Sequence, residues 1–180
     1  MCGILGWCNY KYELNLSNLK TVSNYIISRG PDAYGEYKNK YLSLIHTRLS
    51  IIDLNERSNQ PFKDKNNGNV ISFNGEIYNF KLLRKELQDF HDIKFNTSSD
   101  TEVVLKGYSV LGIEKLLKKL DGMFAFSIWD NNNKSLILAR DKFGEKPLYY
   151  TNDNNNGLIF SSYVSPLTNL SKISNNRQIN

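Results

Sequence analysis

The sequence predicts an α+β fold in which antiparallel sheets pack against helices, and three observations carry that expectation. Apolar residues alternate with a strand's period near 3–9, 42–46, 70–73, 123–130, 135–140, 147–151 and 158–162. These runs lie both before and after the helical segments. The late ones are joined as hairpins by asparagine-rich turns at 131–133 and 153–157.

Taken in order, the first strand is the run after Met1 and Cys2, and a helix over 16–28 follows, where Leu16, Leu19, Val22, Tyr25 and Ile26 recur at three or four. The segment 79–90 follows a turn and carries Leu82, Leu83, Glu86, Leu87 and Phe90 along one side, as a helix facing a core would. A further helix over 100–112 starts on Asp100 as N-cap, with Thr101 and Glu102 in its first turn and Gly112 at its end. Beyond Ser161 the chain turns polar, and residues 170–180 have no core pattern. The chain therefore reads as one domain over 2–167, with 168–180 a tail or the start of a linker.

The 180 residues, 40% hydrophobic and 12% aromatic, suffice for one core. No stretch approaches the roughly 18 apolar residues that cross a bilayer, and the N-terminus has no basic run ahead of an apolar segment. The expected compartment is the cytoplasm, with no membrane partner. The formal charge of +5 raises nucleic-acid binding, but the lysines are scattered and the basic clusters are as short as Arg84-Lys85 and Lys118-Lys119, so nucleic acid is not expected as a partner. Two histidines and two cysteines make a metal site improbable. Cys2 and Cys8, on one extended strand, would lie about 20 Å apart, too far to pair.

Cys2 directly follows the initiator. Removal of Met1 would leave a thiol and a free α-amine on one residue, and with ordinary pKa values of about 8.5 and 7.7–8.0 the amine can serve the thiol as base. The bland alternative is a small buried side chain. Asn74-Gly75, after the strand VISF, offers a side-chain amide and an unshielded N–H suited to a developing oxyanion, although Asn-Gly is also an ordinary turn. Arg48 lies among apolar residues, where its planar fork needs either a substrate carboxylate or an internal ion pair. Glu76 and Asp100 are candidate anions for a substrate ammonium group, set against the commoner roles of surface carboxylate and helix cap.

Together, MCGILG, RGPDAYG, HTRLSIIDL with QPF after it, FNGEIYNF, SSDTEV, LDGMFAFSIWD and ARDKFGEKPLYY occur in one order over about residues 2–167. This set resembles the glutaminase domain of class II glutamine amidotransferases, within the N-terminal-nucleophile hydrolases, and is most similar to that of glutamine-hydrolysing asparagine synthetase. The resemblance implies a four-layer αββα sandwich of two antiparallel sheets. It implies Cys2 as nucleophile, with its α-amine as base, and Asn74 and Gly75 as the oxyanion hole. It also implies Arg48 on the glutamine α-carboxylate, Glu76 and Asp100 on its α-amino group, backbone groups near Ile51 lining the pocket, and the loop 29–35 as a wall. The implied reaction passes through a γ-glutamyl thioester and needs neither metal nor cofactor.

Three positions depart from the family pattern. Ser28 stands where a histidine is usual, Tyr163 where a carboxylate is usual, and Gly144-Glu145-Lys146-Pro147 where Gly-Ile-Lys-Pro is common. An asparagine synthetase also continues into a domain that uses ATP and Mg, and no phosphate-binding glycine loop occurs here. The expected partners are therefore glutamine and a synthetase domain or subunit, and a homodimer is compatible with the reading. The acceptor of the ammonia is aspartate or another compound such as a sugar. The rival from another class is a non-catalytic module that binds glutamine and regulates a synthetase.

Overall fold

In the computed structural model, which describes residues 1–8, 24–153 and 157–170, the central strands are buried almost continuously, so successive side chains face two different packing layers, whereas the edge strand at Ala33–Lys38 alternates between half-buried and exposed. The strands are β1 (Gly3–Cys8), β2 (Ala33–Lys38), β3 (Leu42–Arg48), β4 (Phe62–Lys63), β5 (Val70–Ile77), β6 (Gly122–Asp130), β7 (Ser135–Arg140), β8 (Tyr149–Asp153) and β9 (Gly157–Ser161). The helices are α1 (Phe80–His91), α2 (Asp100–Leu111), α3 (Ile113–Lys119) and α4 (Val164–Leu170), with a helical segment at 24–27. One sheet has the order β2-β3-β1-β9-β8 and the other β4-β5-β6-β7, and their pairings are antiparallel.

Ile4 and Cys8 of β1 join Leu42, Leu44, Val70, Trp129 and Phe160 in a buried cluster between the two sheets. Leu5 points the other way, to Ile26 and Ile45. On the second sheet, Ile71, Phe73, Ile77, Phe124, Phe126 and Ile128 pack on Leu83 and Leu87 of α1, on Val103, Val104 and Leu105 of α2, and on Leu116 of α3. The result is helix, sheet, sheet, helix: the α+β class read from the sequence and the four layers implied by the resemblance. Among the described residues no helix is long and apolar enough to cross a membrane.

Several elements differ from the expectation. The helix expected over 16–28 is described only at 24–27; its earlier residues lie outside the described part. Leu82 and Phe90, expected on the buried side of α1, are 74% and 78% exposed, while Leu83 and Leu87 alone carry its fully buried contact. The strand expected to end at 73 runs on to Ile77, so Asn74-Gly75 is strand and not turn. Ser99, not Asp100, is the N-cap of α2: its backbone is extended and its side chain accepts the Thr101 N–H. Strands β2 and β4 and helices α3 and α4 were not expected, because each is too short, or too interrupted by Gly or charge, to show a period. Helix α4 runs to Leu170.

Phe126 lies fully buried where β6 meets the helices. Phe126→Ala is expected to cost about 3–5 kcal/mol, and Leu82→Ala less than about 0.5 kcal/mol, in denaturant unfolding. Equal losses at the two sites would contradict the assignment of the buried face.

Candidate functional site

The main chain of β5 sets the geometry of the site. Strand β5 pairs with β6 along its whole length, from Val70 to Ile77, but with β4 only at Val70 and Ile71. Pro61, next along the chain from Phe62 toward the would-be continuation of β4, has no N–H to offer a ladder. In an antiparallel pair, alternate residues direct their N–H and C=O groups to opposite sides. Phe124, opposite Gly75, turns both of its groups away from β5: its carbonyl accepts from Asp141 N–H at 2.7 Å, and its N–H donates to Asp141 Oδ2 at 3.3 Å. Gly75 N–H therefore also points away from β6, toward the edge that β4 does not reach.

The neighbours of Gly75 on that edge are held by side chains. Phe73 N–H donates to Gln60 Oε1 at 2.6 Å, Phe73 C=O faces His46 Nε2 at 3.0 Å, and Ile77 N–H donates to Asp100 Oδ2 at 3.1 Å. Gly75 lies between these anchors and lines a cleft together with Cys2, Arg48, Ile51, Asn74, Glu76 and Asp100, so all seven residues singled out in the sequence come together. The close approach of β6 requires glycine here, since a Cβ on Gly75 would sit 2.2 Å from Met123 O and 2.7 Å from Phe124 Cα. Asn74 is 1% exposed, and its Nδ2 has no hydrogen-bond partner among the described residues. A buried amide without a partner is costly, and an acceptor bound in the cleft would offset that cost.

Cys2 enters the cleft from the start of β1. Its Sγ lies 3.4 Å from Leu49 N, which donates to it, and 3.7 Å from Leu49 O. Burial pushes the thiol pKa up; the Leu49 hydrogen bond, the terminal ammonium and Arg48 pull it down, and Asp100 raises it. With Met1 attached, the chain's α-amine is that of Met1, whose sulfur accepts from Lys146 Nζ at 3.3 Å. Arg29 Nε donates to the carbonyl of Cys2 at 2.9 Å, and the Arg29 guanidinium lies 4.9 Å from the centre of the Tyr163 ring. The ring at 163 thus holds a cation where the family usually has a carboxylate.

The terminal nitrogens of Arg48 do not form the expected open fork. They donate to Asn55 O and Asn59 Oδ1, and to Ile52 O and Asp53 O, so the guanidinium is held by the loop after β3 and has no ion pair among the described residues. Its charge remains at the cleft. Ile51 is 71% exposed at the rim. Asp100 is buried because Ser99 takes over the cap, while Glu102 binds the loop before it through the N–H groups of Asn96 and Thr97 and the Thr97 hydroxyl. Burial raises the Asp100 pKa to about 6, against the pull of the Ile77 and Thr101 N–H groups. Gln60, Leu49 and Lys146 also line the cleft and were not singled out as site residues. The motifs QPF, HTRLSIIDL and ARDKFGEKPLYY contain them, but no local pattern separates them from neighbouring residues.

The profile of a family described as a glutamine amidotransferase domain matches residues 1–179. Amidase chry2 of Gibberella zeae is 41% identical over 152 residues, covering 83% of this chain and 22% of its own length. Asparagine synthetase [glutamine-hydrolyzing] 1 of Bacillus subtilis is 43% identical over 159 residues, covering 86% of this chain and 24% of its own. The chain thus spans about a quarter of the length of these curated relatives. Among solved structures, a glutamine phosphoribosylpyrophosphate amidotransferase from B. subtilis has the same fold, with a TM-score of 0.60 at 22% identity, over 93% of this chain and 37% of that one.

Because the folded state holds the Asp100 proton more tightly than the unfolded chain does, this carboxyl should cost nothing below about pH 4 and progressively more as pH rises through about 6. Asp100→Asn, which keeps an acceptor oxygen, is expected to be more stable than wild type at pH 8 by on the order of 1–3 kcal/mol, and this advantage should vanish near pH 4. A difference that does not vary with pH would contradict the raised pKa.

Proposed function

The chain belongs to the glutamine amidotransferase domain family, and from that premise we propose that it hydrolyses glutamine through a cysteinyl thioester on Cys2 and delivers the ammonia to an ATP-dependent synthetase. The observation that carries the reading is the Gly75 N–H on the unpaired edge of β5, beside the unpartnered Asn74 Nδ2 and in one cleft with Cys2.

Once Met1 is removed, the Cys2 α-amine takes the thiol proton as Sγ attacks the side-chain amide carbon of glutamine. Negative charge then develops on the amide oxygen, where Gly75 N–H and Asn74 Nδ2 donate to it. The amine returns its proton to the leaving nitrogen, ammonia departs, and a γ-glutamyl thioester remains. Water, deprotonated by the same amine, attacks the thioester carbon; the C–S bond then breaks, the ammonium returns its proton to the Cys2 sulfur, and glutamate is released. Around this centre, Asp100 and Glu76 receive the substrate ammonium group, and Arg48 supplies the positive field for its carboxylate. An ammonium beside Asp100 would also relieve the cost of ionising a buried carboxyl.

The acceptor reading rests on the asparagine synthetase among the relatives; aspartate is the first candidate, with ATP and Mg belonging to the synthetase domain or subunit. A cytoplasmic location goes with that role.

The test is the intact mass of the purified chain before and after treatment with a diazo-ketone analogue of glutamine, together with ammonia release from glutamine. Loss of Met1, a single adduct and measurable glutaminase activity are expected, with adduct and activity both absent in Cys2→Ala. A processed chain that binds glutamine yet forms no adduct would favour the non-catalytic module.

A further inference from the structure

We propose that His46 and Gln60 are positioning residues for the two oxyanion donors, gripping the main chain of Phe73 from two directions so that Asn74 Nδ2 and Gly75 N–H keep their aim. The inference rests on the glutamine-hydrolysis reading above and adds two residues to it, neither of which that mechanism uses.

The register of β4 and β5 shows what Gln60 replaces. Phe62 pairs with Ile71 and Lys63 with Val70, so a continued ladder would place residue 60 opposite Phe73. The ladder stops at Phe62, and the Gln60 side chain makes the missing bond, its Oε1 accepting the Phe73 N–H. Its other end is tied to α2, where Gln60 Nε2 donates to Thr101 Oγ1 at 3.3 Å, one residue from Asp100. The Gln60 backbone is wedged against β2: a Cβ on Gly35 would lie 2.1 Å from Gln60 O, a contact that only glycine permits. One 7%-exposed residue thus joins the donor strand and the helix carrying Asp100 through its side chain, and the edge of the other sheet through its backbone.

His46 closes the second side. It is fully buried in β3, paired with Ile4 of β1 and Gly35 of β2, and it reaches across the gap between the sheets to Phe73 O. A carbonyl only accepts, so Nε2 carries the proton; Nδ1 has no partner among the described residues. Burial holds the ring's pKa near 4, with the Arg48 charge acting in the same direction, so the ring is neutral. The same strand, two residues on, ends in Arg48.

Without these bonds, the open side of β5 would be tied only at Ile71 and again at Ile77, and the stretch carrying both donors would be held from the β6 side alone. A shift of about 1 Å in a catalytic group costs roughly 100-fold in rate.

Four variants test this in the processed chain: Gln60→Met and His46→Leu, which remove the bonds at similar size, and Gln60→Glu and His46→Gln, which can restore an acceptor and a donor respectively. Thermal melts first establish that each is folded. Gln60→Met and His46→Leu are expected to lower kcat for glutamine about 10- to 100-fold, with KM within about threefold and with iodoacetamide alkylation of Cys2, which needs no oxyanion hole, within about twofold of wild type. Gln60→Glu and His46→Gln are expected to regain at least about tenfold of a loss of that size. A folded Gln60→Met with unchanged kcat would overturn the proposal. So would parallel loss of kcat, substrate binding and Cys2 alkylation, which would mark a merely structural role. Should His46→Leu fail to fold, the Gln60 pair decides alone. A wild-type chain that releases no ammonia from glutamine fails before any variant is made, and that result overturns the glutaminase reading as well as this inference.

Discussion

The structure depends on a mismatch between two neighbouring strands: β5 has eight residues and its partner β4 has two. Buried main-chain donors and acceptors must be satisfied, so an open strand edge inside a protein needs substitutes for the missing ladder. Three side chains drawn from three places supply them: Gln60 from the segment just before β4, His46 from the other sheet, and Asp100 from the start of α2. Between them the Gly75 N–H is left facing the cleft. The site is therefore a vacancy in a β-ladder, and its geometry is as fixed as the sheet around it, because β6 holds the far side of β5 without a break.

The electrostatics of the cleft follow from the same packing. Asp100 serves Ile77 as an acceptor and is too deeply buried to ionise easily, so its pKa rises to about 6. Arg48 is committed to the oxygens of the loop after β3, which fixes that loop and the rim residue Ile51 while leaving a positive charge near Cys2. A free amino acid with its own ammonium and carboxylate complements this arrangement. Under the proposed function, its side chain would extend toward Cys2 and the donors of Asn74 and Gly75, which would separate recognition from chemistry along one small substrate.

Much of this was legible in the sequence, and what was not has physical causes. The apolar runs GILGWC and FAFSIW mark β1 and β6 because each strand is buried on both faces, between the other sheet and a helical layer. The capping region SSDTEV marks the start of α2, although the cap is Ser99: Asp100 is recruited by Ile77 N–H, a partner 23 residues away. Asn74-Gly75 reads locally as a turn, and only the long pairing with β6 keeps it extended. Tertiary context overrides a local signal there, as it does for Leu82 and Phe90, whose helical spacing fits a wider buried face than α1 has. A two-residue strand such as β4 shows no period, so the role of Gln60 beside it could not be read at all. Cys2, Asn74, Gly75 and Asp100 were identifiable as chemical types, whereas their shared cleft depends on which edge of β5 is left open.

The most direct measurement is a crystal structure of the processed chain after alkylation of Cys2 by the diazo-ketone analogue of glutamine, in which the ketone oxygen stands in for the amide oxygen of the substrate. That oxygen should lie about 2.7–3.1 Å from both Gly75 N and Asn74 Nδ2, with the analogue's ammonium group at Asp100 and with the Gln60 and His46 bonds to Phe73 intact. An adduct whose oxygen points elsewhere, with the Gly75 N–H bonded within the protein, would contradict this arrangement.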